Sequence, residues 1–158
     1  PESASEVVKA VRDRVHRPLL VKMAPVRVPE IARACEAAGA DALCLINTIN
    51  GMHLNVRTRK SMLSKPTGGV SGPAIHAIAV RMVWEAANAV KIPINGMGGV
   101  ATWEDAAEMI LAGATSVTVG TASFYDPTAA VKIVDGLAAW AAEQGVSDIN
   151  ELIGAAEC

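Results

Sequence analysis

Three glycine-rich stretches in this chain sit where a backbone could meet a ligand directly. Gly98-Gly99 and Gly120-Thr121 each follow a short apolar run and precede a helical pattern, and Gly68-Gly69-Val70-Ser71-Gly72-Pro73 opens a long one. Glycine lets the main chain approach closely and leaves peptide N–H groups free to donate, which suits an anion beside a helix start. One such pair is equally what a tight turn requires, whereas two on successive strands favour a phosphate. Lys22 falls within the apolar run Leu19–Met23. A buried ammonium there costs several kcal/mol unless an acceptor meets it; alternatively the strand ends nearby and the lysine reaches solvent. Asn47 and Thr48 follow the next apolar run and offer an amide and a hydroxyl. These could read a planar heterocycle, or could cap a loop.

Other residue types point away from metal, disulfide and nucleic-acid chemistry. His53 and His76 are isolated from any second histidine at ligand spacing and are assigned to solvated faces. Cys35, Cys44 and Cys158 show no C-x-x-C spacing, so neither a zinc site nor a disulfide framework is expected, and a reducing cytosol fits. Cys44 reads as inert core, and Met82, Trp84, Met109 and Trp140 as packing or interface residues. With 14 basic and 16 acidic residues the formal charge is -2, and aromatics make up 3%. That leaves no basic footprint for a phosphate backbone and little for base stacking. Lys132 and Asp135 interrupt the longest apolar stretch, so neither a membrane span nor a leader is expected.

The elements that must carry these residues alternate. Ser3 to Val15 reads as an amphipathic helix with a Ser3/Glu6 capping box and Val7, Val8, Val11 and Val15 on one side. Leu19–Met23 is a strand, followed by a helix through Ile31, Ala34, Cys35 and Ala38 that stops at Gly39. Ala42–Ile46 is a strand, Asn47–Ser71 a long polar connection, and Pro73–Val90 a helix with Ile75, Ile78, Met82, Val83 and Ala86 inward. Pro93–Asn95 and Ser116–Val119 complete the strands. Thr102 and Asp105 cap a helix to Ala112, and Asp126 and Pro127 begin a last helix to about Glu143, with a short turn after Ser147.

Strands apolar on both faces, each followed by a helix, predict a parallel sheet in an α/β fold. Four such units are legible in 158 residues beginning at Pro1, and a closed (β/α)8 barrel needs roughly 250 residues. The fold class expected is the C-terminal half of a TIM barrel over residues 1–158, with the N-terminal half absent; a small open α/β domain is the alternative. Paired glycine turns in the last quarter of such a barrel match its common phosphate site.

Taken in order, VKMAP, LINTINGM, TGGVSGPAI, INGMGGV and VTVGTASFYDP resemble the C-terminal half of the dihydroorotate dehydrogenases. The NTINGM segment and the loop before GGVSGPAI are most similar to the class that passes electrons to NAD through a second subunit. The resemblance implies FMN-dependent oxidation of dihydroorotate to orotate in pyrimidine biosynthesis by the full-length protein, in the cytoplasm. It implies that Lys22 lies at the flavin pyrimidine edge and that Ile46 and Gly72 pack on the flavin and its ribityl chain. Gly98, Gly99, Gly120 and Thr121 would hold the phosphate, and Asn47 and Thr48 the substrate ring. In that class the general base is a cysteine on a loop after the fourth strand. None of Cys35, Cys44 and Cys158 corresponds to it, so the isolated chain is expected to be inactive. Implied partners are the N-terminal half-barrel, a second copy in a homodimer, and an electron-transfer subunit with FAD and an iron-sulfur cluster. Two other readings stand beside this one: a related FMN barrel such as a dihydropyrimidine dehydrogenase domain, and a non-catalytic half-barrel that self-associates and binds a phosphorylated ligand.

Overall fold

The computed structural model describes residues 1–157, so Cys158 lies outside the described residues. Helix α1 (Glu2–Arg12) leads to β1 (Leu20–Lys22), then α2 (Val28–Ala37) and β2 (Ala42–Leu45). An arm of short strands follows: β3 (Ile49–Gly51), β4 (Leu54–Asn55), β5 (Lys60–Ser61) and β6 (Gly68–Val70). A 3-10 turn (Pro73–Ile75) enters α3 (His76–Ala87), after which come β7 (Ile94–Met97), α4 (Trp103–Leu111) and β8 (Ser116–Thr118). Short α5 (Ala122–Tyr125), long α6 (Ala129–Glu143) and a 3-10 turn (Ile149–Leu152) close the series.

The four main strands form one parallel sheet in the order β1-β2-β7-β8, which with its helices is the architecture of half a (β/α)8 barrel. The register aligns Lys22 with Cys44, Cys44 with Asn95, and Asn95 with Ser116. Because side chains alternate, two faces of different chemistry result. Leu43, Leu45 and Ile94 are buried on the face that α3 and α4 cover. Lys22, Cys44, Asn95, Met97, Ser116 and Thr118 share the other face and are half-buried or exposed. The expectation of strands apolar on both sides therefore holds for one side only.

Gly96 explains how α4 comes so close to the sheet. A Cβ there would lie 3.0 Å from Ala114 Cβ and 3.1 Å from Met109 Sδ, and Met109 is fully buried. Thr102 and Asp105 form the expected capping box, which starts α4 immediately beyond the β7 turn. Asp41 ties the opposite end of the sheet together: it accepts from Leu19 N at 2.7 Å and pairs with Arg12, whose Nε donates to Gly39 O at 2.8 Å. The Leu19 N–H and then the Arg12 guanidinium hold the Asp41 carboxyl below its usual range.

Several boundaries differ from the periodicity reading. Ser3 lies inside α1, which has no side-chain cap, and Val8 is its buried residue while Val7 and Val11 are exposed. In α3, Ala79 is buried and Ile78 is 41% exposed, because Ile75, Ala79, Met82, Val83 and Ala86 follow one helical stripe and Ile78 falls beside it. The last helix runs unbroken as α6 but begins at Ala129 rather than Pro127, and a short helix not expected from the sequence, α5, precedes it. Asp126 accepts from Thr128 N and Oγ1 and from Lys132 Nζ, capping a turn between α5 and α6, and these donors hold its carboxyl at about 2. The segment between Asn47 and Ser71 is folded rather than irregular, with β3 paired to β6 and β4 to β5, both antiparallel. Asn55 Oδ1 accepts from Arg57 N and Thr58 N to make its tip. Met82 and Met109 pack in the core, Trp84 is half exposed, and Trp140 stacks against Trp103 at 6.4 Å.

The Gly96→Val substitution is expected to destabilise the fold by about 1–3 kcal/mol through overpacking against Met109 and Ala114. A shift in the denaturation midpoint checks this, and an unchanged midpoint would contradict it.

Candidate functional site

Because the four strands are parallel, their carboxyl ends share one rim, and that is where ligands bind in sheets of this kind. A cleft of about 180 Å³ lies on this rim, lined by Lys22, Ile46, Asn47, Thr48, Gly72, Gly98, Gly99, Gly120 and Thr121. All nine candidate site residues thus meet in one place. Ser71, Ile75, Met97, Val100 and Thr118 complete the lining.

The three glycine turns are held against one another. Thr121 Oγ1 donates to Ser71 Oγ at 3.0 Å, joining the β8 turn to the entrance of α3. A Cβ on Gly99 would lie 2.8 Å from Gly72 O and 2.8 Å from His76 Cβ, so only glycine permits the β7 turn to approach there. Gly98 and Gly99 have φ of 130° and 73°, in the region that side chains avoid. Around Gly120, by contrast, a Cβ would meet nothing within 4 Å. Among the described residues, the N–H groups of Gly99, Gly120 and Thr121 donate no hydrogen bond within the protein. Three unpaired main-chain donors beside one cleft are the chemistry that an anion site requires.

Lys22 ends β1 instead of lying within a buried run, is exposed, and forms no ion pair among the described residues. It is the only ionisable side chain in the lining. Asn47 Oδ1 accepts from Thr48 N at 2.8 Å, which leaves the Asn47 amide nitrogen as its free donor. Thr48 is seated by the arm: a Cβ on Gly69 would clash with Thr48 Oγ1. Ile46 is buried at 3% exposure and lies under Gly98.

A polar chain on the open sheet face was not anticipated. Thr118 Oγ1 donates to Asn95 Oδ1 at 2.7 Å, and Asn95 Nδ2 donates to Ser116 Oγ at 2.8 Å. The signal was available as period-two polarity in Asn95 and in Ser116 with Thr118. His76 also departs from expectation: it is buried at 8% exposure, with Nδ1 2.9 Å from Gly98 O. A larger cleft of about 560 Å³ between α4 and α6 has no ionisable side chain and no glycine turn to hold a ligand. The rim cleft offers donors and one cation, a combination suited to an anionic ligand and to developing negative charge, while its lining holds no carboxylate, imidazole or thiol.

The family model for dihydroorotate dehydrogenase matches residues 1–140. The chain is 52% identical over 157 residues to the dihydroorotate dehydrogenase B (NAD(+)) catalytic subunit of Geotalea uraniireducens, covering 98% of this chain and 52% of that protein. The subunit of the same description from Trichlorobacter lovleyi is 51% identical, with 99% and 52% covered. That from Parabacteroides distasonis is 49% identical, with 96% and 50% covered. The chain thus spans about half the length of the curated relatives it matches.

Cys44, aligned with Lys22 across β1 and β2, probes the electrostatics of the open face. Burial raises its thiol, and the Lys22 ammonium pulls the other way. Alkylation of Cys44 should therefore rise with pH around a midpoint above the ordinary thiol value, and Lys22→Met should move that midpoint higher still. A midpoint that falls in the variant would contradict the assignment.

Proposed function

This chain belongs to the dihydroorotate dehydrogenase family, and we propose that it forms the part of such an enzyme that holds the phosphate and pyrimidine edge of FMN during oxidation of dihydroorotate to orotate. The observation that carries this reading is the gathering of eight residues from the ends of the four parallel strands, with Gly72 from the entrance of α3, on one donor-rich cleft with a single ammonium.

The cleft suits the cofactor in its shape and its donors. Gly99 brings main chain close where a side chain would clash, and Gly120 leaves open space where a phosphate needs it. The N–H groups of Gly98, Gly99, Gly120 and Thr121, with the Thr121 hydroxyl, hold the phosphate. Gly72 and Ile46 flank the ribityl chain and ring. FMN, when bound, supplies the two-electron acceptor for the hydride from the substrate. Lys22 would hold its ammonium against the pyrimidine edge of the bound flavin, where a fixed positive charge would stabilise negative charge on the reduced ring without reorganisation. Asn47 directs its free amide N–H at a substrate carbonyl, since its oxygen is already engaged by Thr48 N. Thr48 offers its hydroxyl to the same ring. The proton leaving the adjacent carbon goes to a base outside this lining, which contains no carboxylate, imidazole or thiol.

The active protein in this reading includes the counterpart half of the barrel, because the matching relatives are about twice as long. Those relatives are described as NAD(+)-linked catalytic subunits, which implies a further subunit beside each of them. For this protein we assign an electron-transfer subunit carrying FAD and an iron-sulfur cluster, a homodimeric catalytic part, and a place in pyrimidine biosynthesis. Among the described residues no helix is long and apolar enough to cross a membrane. On the family resemblance we assign the protein to the cytoplasm.

The full-length protein is expected to purify yellow and to release FMN on denaturation. Gly120→Glu, which sets a carboxylate where the phosphate lies, should weaken FMN binding by tenfold or more, by roughly the 1.4 kcal/mol that one decade represents. Unchanged affinity would remove the phosphate site. Lys22→Ala should slow flavin reduction by dihydroorotate on the order of 10²-fold while FMN is retained; equal rates would remove its electrostatic role.

A further inference from the structure

His76 begins α3 directly after the turn that carries Gly72, yet its ring is buried behind the cleft and lines none of it. Its Nδ1 lies 2.9 Å from the carbonyl oxygen of Gly98. A carbonyl only accepts, so Nδ1 carries the hydrogen. Among the described residues no backbone N–H donates to that same oxygen. On the other edge of the ring, Nε2 makes no hydrogen bond and stands 3.7 Å from Asp105 Oδ1 and 3.6 Å from Glu108 Oε2. Asp105 is itself fixed, with Oδ2 accepting from Ala101 N and Thr102 N at the start of α4. The imidazole therefore spans the gap between the β7 turn and the first turns of α4.

The consequence follows from peptide planarity. The Gly98 carbonyl and the Gly99 N–H belong to one trans peptide and point in opposite directions. Fixing the carbonyl toward His76, in the helical layer, turns the Gly99 N–H toward the cleft. Both flanking residues are glycines with positive φ, so no Cβ restricts rotation of this peptide plane. The hydrogen bond from His76 supplies the restriction that the glycines lack.

We propose that His76 is the positioning residue of the anion-binding turn, its Nδ1–H holding the Gly98 carbonyl so that the Gly99 N–H faces the ligand phosphate. The inference rests on the reading of the cleft as an FMN site and adds a residue outside the cleft to it.

The test compares binding of FMN and of riboflavin, which lacks the phosphate, to the full-length protein and to three variants. His76→Asn places an amide N–H near the position of Nδ1, His76→Gln places it near Nε2, and His76→Phe keeps the ring without a donor. The preference for FMN over riboflavin should fall about tenfold, the effect of one lost hydrogen bond, in the Gln and Phe variants and be restored by Asn. Riboflavin affinity should stay constant throughout. If Phe does not fold, the Asn and Gln pair decides alone. A preference unchanged in Gln, or lost equally in Asn and Gln, overturns the role of His76. An unsubstituted protein with no preference for FMN would instead overturn the phosphate site itself.

Discussion

The contact between the β7 turn and the entrance of α3 is the constraint on which the site depends. Gly99 lies so close to Gly72 O and to the backbone of His76 that any Cβ would push the two segments apart. With that contact made, and with Thr121 bonded to Ser71 across the other side, three separate loops present main chain to one cleft. The parallel register supplies the rest, because it sends every strand end to the same rim. Gly96 works one layer down, where its missing side chain lets Met109 seat α4 against the sheet. Glycine thus serves two different purposes here, close approach of one turn to another at the rim and close helix approach beneath it.

The division of the sheet into unlike faces locates the chemistry. Under the helices the strands are apolar, with Leu43, Leu45 and Ile94 fully buried. On the other face stand Lys22, Cys44 and the Thr118-Asn95-Ser116 chain. Thr118 spends its proton on Asn95, so its oxygen is left to accept. With Lys22 the only ionisable side chain in the lining, the proposed division of labour is clear: this part of the enzyme binds and stabilises charge, and proton transfer is assigned to groups from elsewhere.

What the sequence made legible was whatever local chemistry decides. Short apolar runs closed by glycine or proline gave the strands, and the Thr102/Asp105 pair gave a helix start to the residue. The strand-end candidates stood out because strand ends are few and their residue types unusual, whereas Ile46 and Gly72 entered through the family resemblance; all nine line one cleft. What escaped notice depended on tertiary contacts. Ile78 and Ala79 differ by a single step of helical phase, and only packing decides which of them is buried. His76 looked solvated because its partner, the Gly98 carbonyl, lies 22 residues away. The arm between Asn47 and Ser71 looked irregular because its strands are two or three residues long, too short for alternation to register.

A crystal structure of the full-length protein with FMN bound tests the central claim most directly. The account requires the phosphorus to lie between the Gly98-Gly99 and Gly120-Thr121 turns, with their N–H groups on its oxygens and Lys22 Nζ at the pyrimidine edge of the ring. A phosphate bound anywhere else, or a lysine turned away from the ring, would contradict it.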